Sequence, residues 1–308
     1  MPTNDPQPTI FPYRLSEQMQ IDLPSLVSQE RALLDLLGGP FPERNNDFDG
    51  FTRVLDVACG AGSWALEVAR AHPRLEVIGL ANQQVLVSSA SARAAEANLK
   101  NARFLLLTGE QRPQLPFPDE YFDLVNTQYL HSWLRADEWP DFVDECWRVT
   151  RPSGSVRMTE PERGQSTSLA FTRLEDLFLQ AMHKTGQCFS PDNRHIGAAN
   201  QLVYLCQEAG WTEITRRAAI TDYGKMGDLP EKPFSRIQLY TRTFQPLILQ
   251  QGLASAEELA TLMQQVGEEM ESEDFAANRF LITVCGHKPG TREKLESDAQ
   301  QIGATRKI

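Results

Sequence analysis

The chain has 308 residues, 41% apolar and 23% charged, with a net charge of −11, an ordinary globular composition with enough apolar content for a substantial core. No strongly basic run interrupts the acidic balance, which argues against a partner gripped through nucleic-acid phosphates, and apolar runs such as Phe104 to Leu107 fall far short of the ~20 residues of a membrane span. The opening MPTNDPQPTI has no signal pattern, and five scattered cysteines (59, 146, 188, 206 and 285) without Cys-x-x-Cys spacing read as reduced thiols of a cytoplasmic protein.

From about residue 50, strand-like and helix-like segments alternate. Residues 53–58 (RVLDVA) form a β-rich run into a glycine turn, and 64–70 have helical spacing. Residues 75–80 predict a second strand and 85–99 a second helix. Residues 102–107, 122–127 and 155–160 supply three more strands, with a helix over 139–149 before the last. This alternation implies a parallel sheet with right-handed crossovers, hence a doubly wound α/β fold. Past residue 160 the rhythm changes. Helical spacing covers 168–185, an irregular stretch follows, and 201–209 predicts a helix and 214–221 a strand. Helices over 237–250 and after the capping box Ser255-x-x-Glu258 precede a closing strand at 280–285. Two helices between the last two strands suggest an inserted cap.

The first chemical signal is Asp56-Val-Ala-Cys-Gly-Ala-Gly62, placed between the first strand and its helix. Its glycines permit a tight turn and close approach of a ligand, and the helix start behind them presents unpaired N–H groups. Through Ala65 the stretch also satisfies G-x-G-x-x-A, so a dinucleotide oxidoreductase is a rival. Asp56 argues for a different ligand, because a pyrophosphate would be repelled by an acid at the strand end whereas an ammonium group would be attracted.

Together with Gly109-Glu110, the stretch LPFPDEYFDLV (115–125) and ECWRVTRPSG (145–154), this loop resembles the class I S-adenosylmethionine-dependent methyltransferases, in particular the small-molecule branch that includes the ubiquinone/menaquinone-biosynthesis enzymes. The resemblance covers roughly residues 50–160. It implies a Rossmann-like, seven-stranded sheet with a helical cap. The implied organisation is an N-terminal helical lid (1–49), a cofactor-binding core (50–160), the rest of the sheet with the cap (161–288; cap at 166–196 and 230–275) and a mobile tail (289–308).

The resemblance also implies site residues. Asp56, Ala58, Gly60, Ala61 and Gly62 fall around the methionine part of S-adenosylmethionine, Glu110 and Gln111 near its adenine, and Asn126 and Thr127 near its amino-acid end. The family's N-terminal lid makes Tyr13, Gln29 and Arg31 candidates. Two positions depart from the family. Ser153 replaces a glycine in Pro152-Ser153-Gly154, where a local backbone change without functional effect is expected. The second strand ends in Gly79-Leu80-Ala81-Asn82-Gln83 without the acid that holds the ribose, and Asn82 or Gln83 is left to supply an amide oxygen.

Methyl transfer from a sulfonium needs alignment and dryness, and a base only when the acceptor must lose a proton. His131 and Tyr129, after the fourth strand, are the catalytic candidates; His195 with Arg194 reads as solvated loop, and His183 and Glu160 stand behind them. No carboxylate and histidine cluster has metal spacing. Most aromatic residues of the cap pack it, and a few facing the sheet edge would suit an apolar or aromatic acceptor. The expected function is therefore methyl transfer to a small molecule, with neither nucleic acid nor membrane as partner. The alternatives are a methyltransferase-fold protein that binds the cofactor without methyl transfer (lyase, cyclase or binding module), and an NAD-dependent oxidoreductase.

Overall fold

The computed structural model describes residues 22–107, 114–224 and 233–290. Five parallel strands, β1 (Arg53–Val57), β2 (Glu76–Ala81), β3 (Ala102–Leu106), β4 (Phe122–Gln128) and β5 (Thr150–Pro161), lie in the order 3-2-1-4-5. The strand order reverses between β1 and β4, which opens a crevice at their carboxyl ends, the place where such sheets bind ligands. Helices α2 (Ser63–Ala71), α3 (Gln84–Glu96) and α4 (Trp139–Val149) make or complete the crossovers.

The last long strand, β8 (Ala277–His287), runs antiparallel to β5, and β7 (Thr212–Asp222) runs antiparallel along its other edge. A two-residue strand, β6 (Gln165–Ser166), also pairs with β8. Because Asn278 faces both Gln165 and Asp222, β6 extends the β5 edge and adds an eighth strand to the seven expected. Two residues are too few to leave a periodic signature. Helices α5 (Leu169–Lys184) and α6 (Ala198–Glu208) precede β7, while α7 (Pro233–Gln250) and α8 (Ala256–Glu269) stand between β7 and β8. No helix of the described residues is long and apolar enough to cross a membrane.

Alternation along the strands divides the core. Leu55, Val57, Ile78 and Leu80 join α4 to α8 on one face, whereas Val54, Val77 and Ala81 meet α1 (Leu23–Leu37), α2 and α3 on the other. Packing is close enough that a Cβ on Gly79 would lie 2.6 Å from the Phe104 ring and 2.9 Å from Cys59 Sγ, so only glycine fits there.

The two later motif segments lock to each other. Glu145 Oε2 accepts the Leu115 N–H at 2.8 Å, and Arg148 donates to Glu145, to Asp119 and to the Phe117 and Leu115 carbonyls. Their charges thus serve as a structural clasp between the two segments. Ser153 adopts φ +63°, the left-handed region a glycine would take freely, and its N–H donates to the Lys288 carbonyl at 2.9 Å. Holding a serine there costs about 1–2 kcal/mol of backbone strain.

Helix α1 starts at the capping residue Asp22, stops at a left-handed Gly38 and lies against the glycine turn. The α2 N-cap, Gly62, has no side chain to satisfy the first helical amides. Glu30 of α1 reaches in instead, accepting the Ser63 N–H, the first helical amide, at 3.2 Å and the Ala61 N–H just before the cap at 2.7 Å, while Arg93 of α3 holds the Ala61 carbonyl at 2.6 Å. Burial of the Glu30 carboxylate raises its pKa, and the amide hydrogen bonds oppose that rise. Glu30→Ala should therefore cost about 1–2 kcal/mol of stability by loss of the cap, whereas Glu30→Gln, which keeps one carbonyl acceptor, should cost less. Urea denaturation of the two variants checks the order.

Candidate active site

The carboxyl ends of β1, β2 and β4 open into a cavity of about 320 Å³, closed by α1 on one side and by β7, α7 and β8 on the other. Two residues at its rim hold left-handed backbone without being glycine: Ala58 (φ +60°) in the loop after β1, and Tyr129 (φ +59°) after β4. Both line the cavity. Such conformations cost energy and persist only where the surroundings impose them, and they concentrate at ligand sites.

Asp56 stands at the cavity floor, 2% exposed. Its Oδ1 accepts from Asn126 Nδ2 at 2.7 Å, Asn126 Oδ1 accepts from Arg157 Nη1 at 3.0 Å, and Arg157 Nε donates to Glu43 at 2.9 Å. The parallel register explains this row, because it sets Asp56 beside Asn126 and Asn126 beside Arg157 on one face. Asp56 Oδ2 is left buried without a partner in the protein. Burial pushes the Asp56 pKa up to about 8; the Glu30 charge adds to the rise, while Asn126 and Arg157 oppose it. A carboxylate so placed is suited to a cation that can take the free oxygen.

The second feature lies after β4. A single 3₁₀ turn, Leu130–Ser132, folds His131 back onto Glu160 near the end of β5. Glu160 accepts the Leu130 N–H at 2.7 Å, the His131 N–H at 3.1 Å and the His131 Nδ1 proton at 2.9 Å. Both side chains are at most 1% exposed. This bond assigns the proton to Nδ1 and leaves Nε2 as the basic nitrogen. Nε2 has no partner in the protein, and His131 lines the cavity. A buried carboxylate that orients an imidazole with a free lone pair is the arrangement of a general base.

Of the residues expected from sequence, Asp56, Ala58, Gly60, Asn82, Tyr129, His131 and Gln29 line the cavity. Ala61, Gly62, Gln83, Asn126, Thr127 and Arg31 do not; Asn126 stands behind Asp56, and Ala61 presents its amide to Glu30. Tyr13, Glu110 and Gln111 lie outside the described residues. Arg194 and His195 are exposed and away from the cavity. At the second strand, Ala81 is fully buried in the sheet core and Asn82 reaches the cavity wall. Glu160 and Arg279 matter more than the sequence suggested. Glu160 had one available signal, an acid at the carboxyl end of the strand next to His131.

The sequence family described as a methyltransferase domain matches residues 54–154. The demethylmenaquinone methyltransferase of Geobacillus kaustophilus is 28% identical over 174 residues, 53% of this chain and 71% of that protein. Its counterpart from Listeria monocytogenes is 30% identical over 173 residues, with the same shares. Among solved structures, the YcgJ protein of Bacillus subtilis superposes with a TM-score of 0.51 at 17% identity, covering 83% of this chain and 98% of that one, a likeness of fold alone. The match through the glycine loop and the β4 and β5 motifs, set on a sheet of this order, makes the chain a member of the class I S-adenosylmethionine-dependent methyltransferases, on their quinone-biosynthesis branch.

Proposed function

We propose that the chain transfers the methyl group of S-adenosylmethionine to a small apolar or aromatic acceptor by in-line displacement, with His131 removing the acceptor's proton. The observation that carries this reading is the free His131 Nε2 in the same cavity as the orphan oxygen of Asp56. The bound cofactor supplies an activated methyl group. Asp56 would hold its ammonium, the turn around Ala58 and Gly60 its amino-acid backbone, and Asn82 a ribose hydroxyl. Glu160 fixes the imidazole through Nδ1, leaves Nε2 without a partner in the protein, and would stabilise the imidazolium once the proton arrives. Leu33, Leu36, Trp133, Leu239 and Phe244 supply apolar wall and exclude the water that would compete as nucleophile. The relatives' named acceptor, demethylmenaquinone, is an apolar quinone, which supports an acceptor of that character.

Replacing His131 by Gln removes the base and keeps the side-chain volume. With an acceptor found by screening against labelled cofactor, kcat should fall about 10²–10⁴-fold, while S-adenosylhomocysteine affinity by calorimetry stays within about twofold. Unchanged kcat would remove His131 from the mechanism.

A carboxyl whose pKa is raised is mostly protonated at pH 7, and an ammonium beside Oδ2 favours the ionised form. Binding of S-adenosylhomocysteine should therefore release close to one proton per site at pH 7, and its affinity should climb as pH approaches about 8. Calorimetry in buffers of different ionisation enthalpy counts that proton, and Asp56→Asn should abolish it.

Asn82→Asp would offer the ribose a charged acceptor. It should tighten S-adenosylhomocysteine binding roughly tenfold; equal or weaker affinity would place the ribose elsewhere.

A further inference from the structure

The wall of the cavity formed by β7, α7 and β8 carries polar groups that neither Asp56 nor His131 employs. Arg279 of β8 is only 4% exposed, and its Nη2 pairs with Glu175 of α5. Glu175 spends its other oxygen on the Gly164 N–H at 2.8 Å, so this ion pair is closed on the acid side. On the basic side it is open. The guanidinium carbon lies 4.0 Å from the centre of the Tyr240 ring, and although the two side chains interact, neither the buried Arg279 Nε nor the buried Tyr240 hydroxyl completes a hydrogen bond of normal geometry in the protein. Both residues line the cavity.

An unsatisfied buried donor costs about 1–3 kcal/mol, and two beside one cavity give that wall a common preference for one kind of ligand atom. A guanidinium can only donate, and burial pushes the Tyr240 phenol well above its usual pKa, so the hydroxyl keeps its proton and donates as well. The shared demand is for an acceptor oxygen. Glu175 already neutralises the guanidinium charge, so the site suits a ring hydroxyl or carbonyl and lacks the surplus charge a phosphate would need. Phe244 and Leu239 on the same helix give this end of the cavity an apolar surround.

We propose that Arg279 Nε and the Tyr240 hydroxyl together grip an oxygen substituent of an aromatic acceptor, and so select which acceptors enter the cavity. The assignment rests on the methyl-transfer reading for calling the ligand an acceptor; the polar site itself is independent of it. Equilibrium dialysis with 2-naphthol and naphthalene, which share a ring system and differ by one hydroxyl, tests it without knowledge of the natural acceptor. The whole protein should bind 2-naphthol at least about tenfold more tightly than naphthalene. Tyr240→Phe, which keeps the ring under the guanidinium, should reduce that preference about threefold to tenfold with naphthalene binding unchanged. Arg279→Met combined with Glu175→Gln removes the pair together, so that no buried charge is stranded, and should lower the preference by a similar factor. Equal binding of the two probes, no binding of either, or an undiminished preference in both variants would overturn the proposal. A parallel titration with S-adenosylhomocysteine separates the two ideas: failure there removes the methyl-transfer reading and leaves the naphthol result to decide this site.

Discussion

A carboxylate taken out of water at the end of β1 sets the terms for everything around it. Asp56 has one oxygen satisfied by Asn126 and one satisfied by nothing in the protein. Burying such a group costs free energy unless it is paired, and the fold supplies only part of the pairing. Arg157 reaches Asn126 and is itself tied to Glu43, so the one buried cation in this row is held one residue away from the acid it faces across the sheet. Burial lifts the carboxyl pKa to about 8, and the guanidinium, held at that remove on the same face, offsets only part of the rise. A direct Arg157–Asp56 pair would have closed the site.

Glu30 gives the same region its second acid. Its carboxylate caps α2 where Gly62 offers no side chain, so α1 is fastened to the turn that forms the cavity floor. The arrangement trades one requirement against another. The glycines that allow close approach of a ligand leave the helix uncapped, and the cap then has to come from outside the loop. It comes from the helix that covers the cavity, which couples the position of that cover to the loop's own hydrogen bonds.

The legibility of the sequence follows the range of the interactions that decide each feature. The strands β1 to β4 and helices α2 to α5 were readable because their apolar spacing is local and nearly unbroken. The glycine loop was readable because its turn needs glycines at fixed positions. The two-residue β6 was hidden by its length, and the Glu30 cap by a separation of 31 residues from Ala61. His131 could be placed at the correct sheet edge, but its chemistry depends on Glu160, 29 residues later, and on a left-handed Tyr129 that no propensity predicts. Arg279 could not be read at all. Its neighbours Glu175 and Tyr240 belong to two helices distant in sequence, and only packing brings them to one wall.

The motif residues divide by role in a way their sequence similarity conceals. Glu145 and Arg148 belong to the same resemblance as Asp56, yet they hold the chain below β4 and reach no part of the cavity. Asn126 lies between these cases, shaping the site through Asp56 while contributing no surface to it. The departure at the second strand is local in the same sense. Ala81 continues the buried face of β2, so its lack of charge suits the core it joins, and the exposed choice passes to Asn82. A neutral amide there makes no further demand on a cavity that already contains Asp56 and Glu30. With two acids beside one turn, a third carboxylate would raise the cost of keeping Asp56 ionised, a penalty that a charged hydrogen bond to a ribose hydroxyl has to exceed for Asn82→Asp to tighten binding.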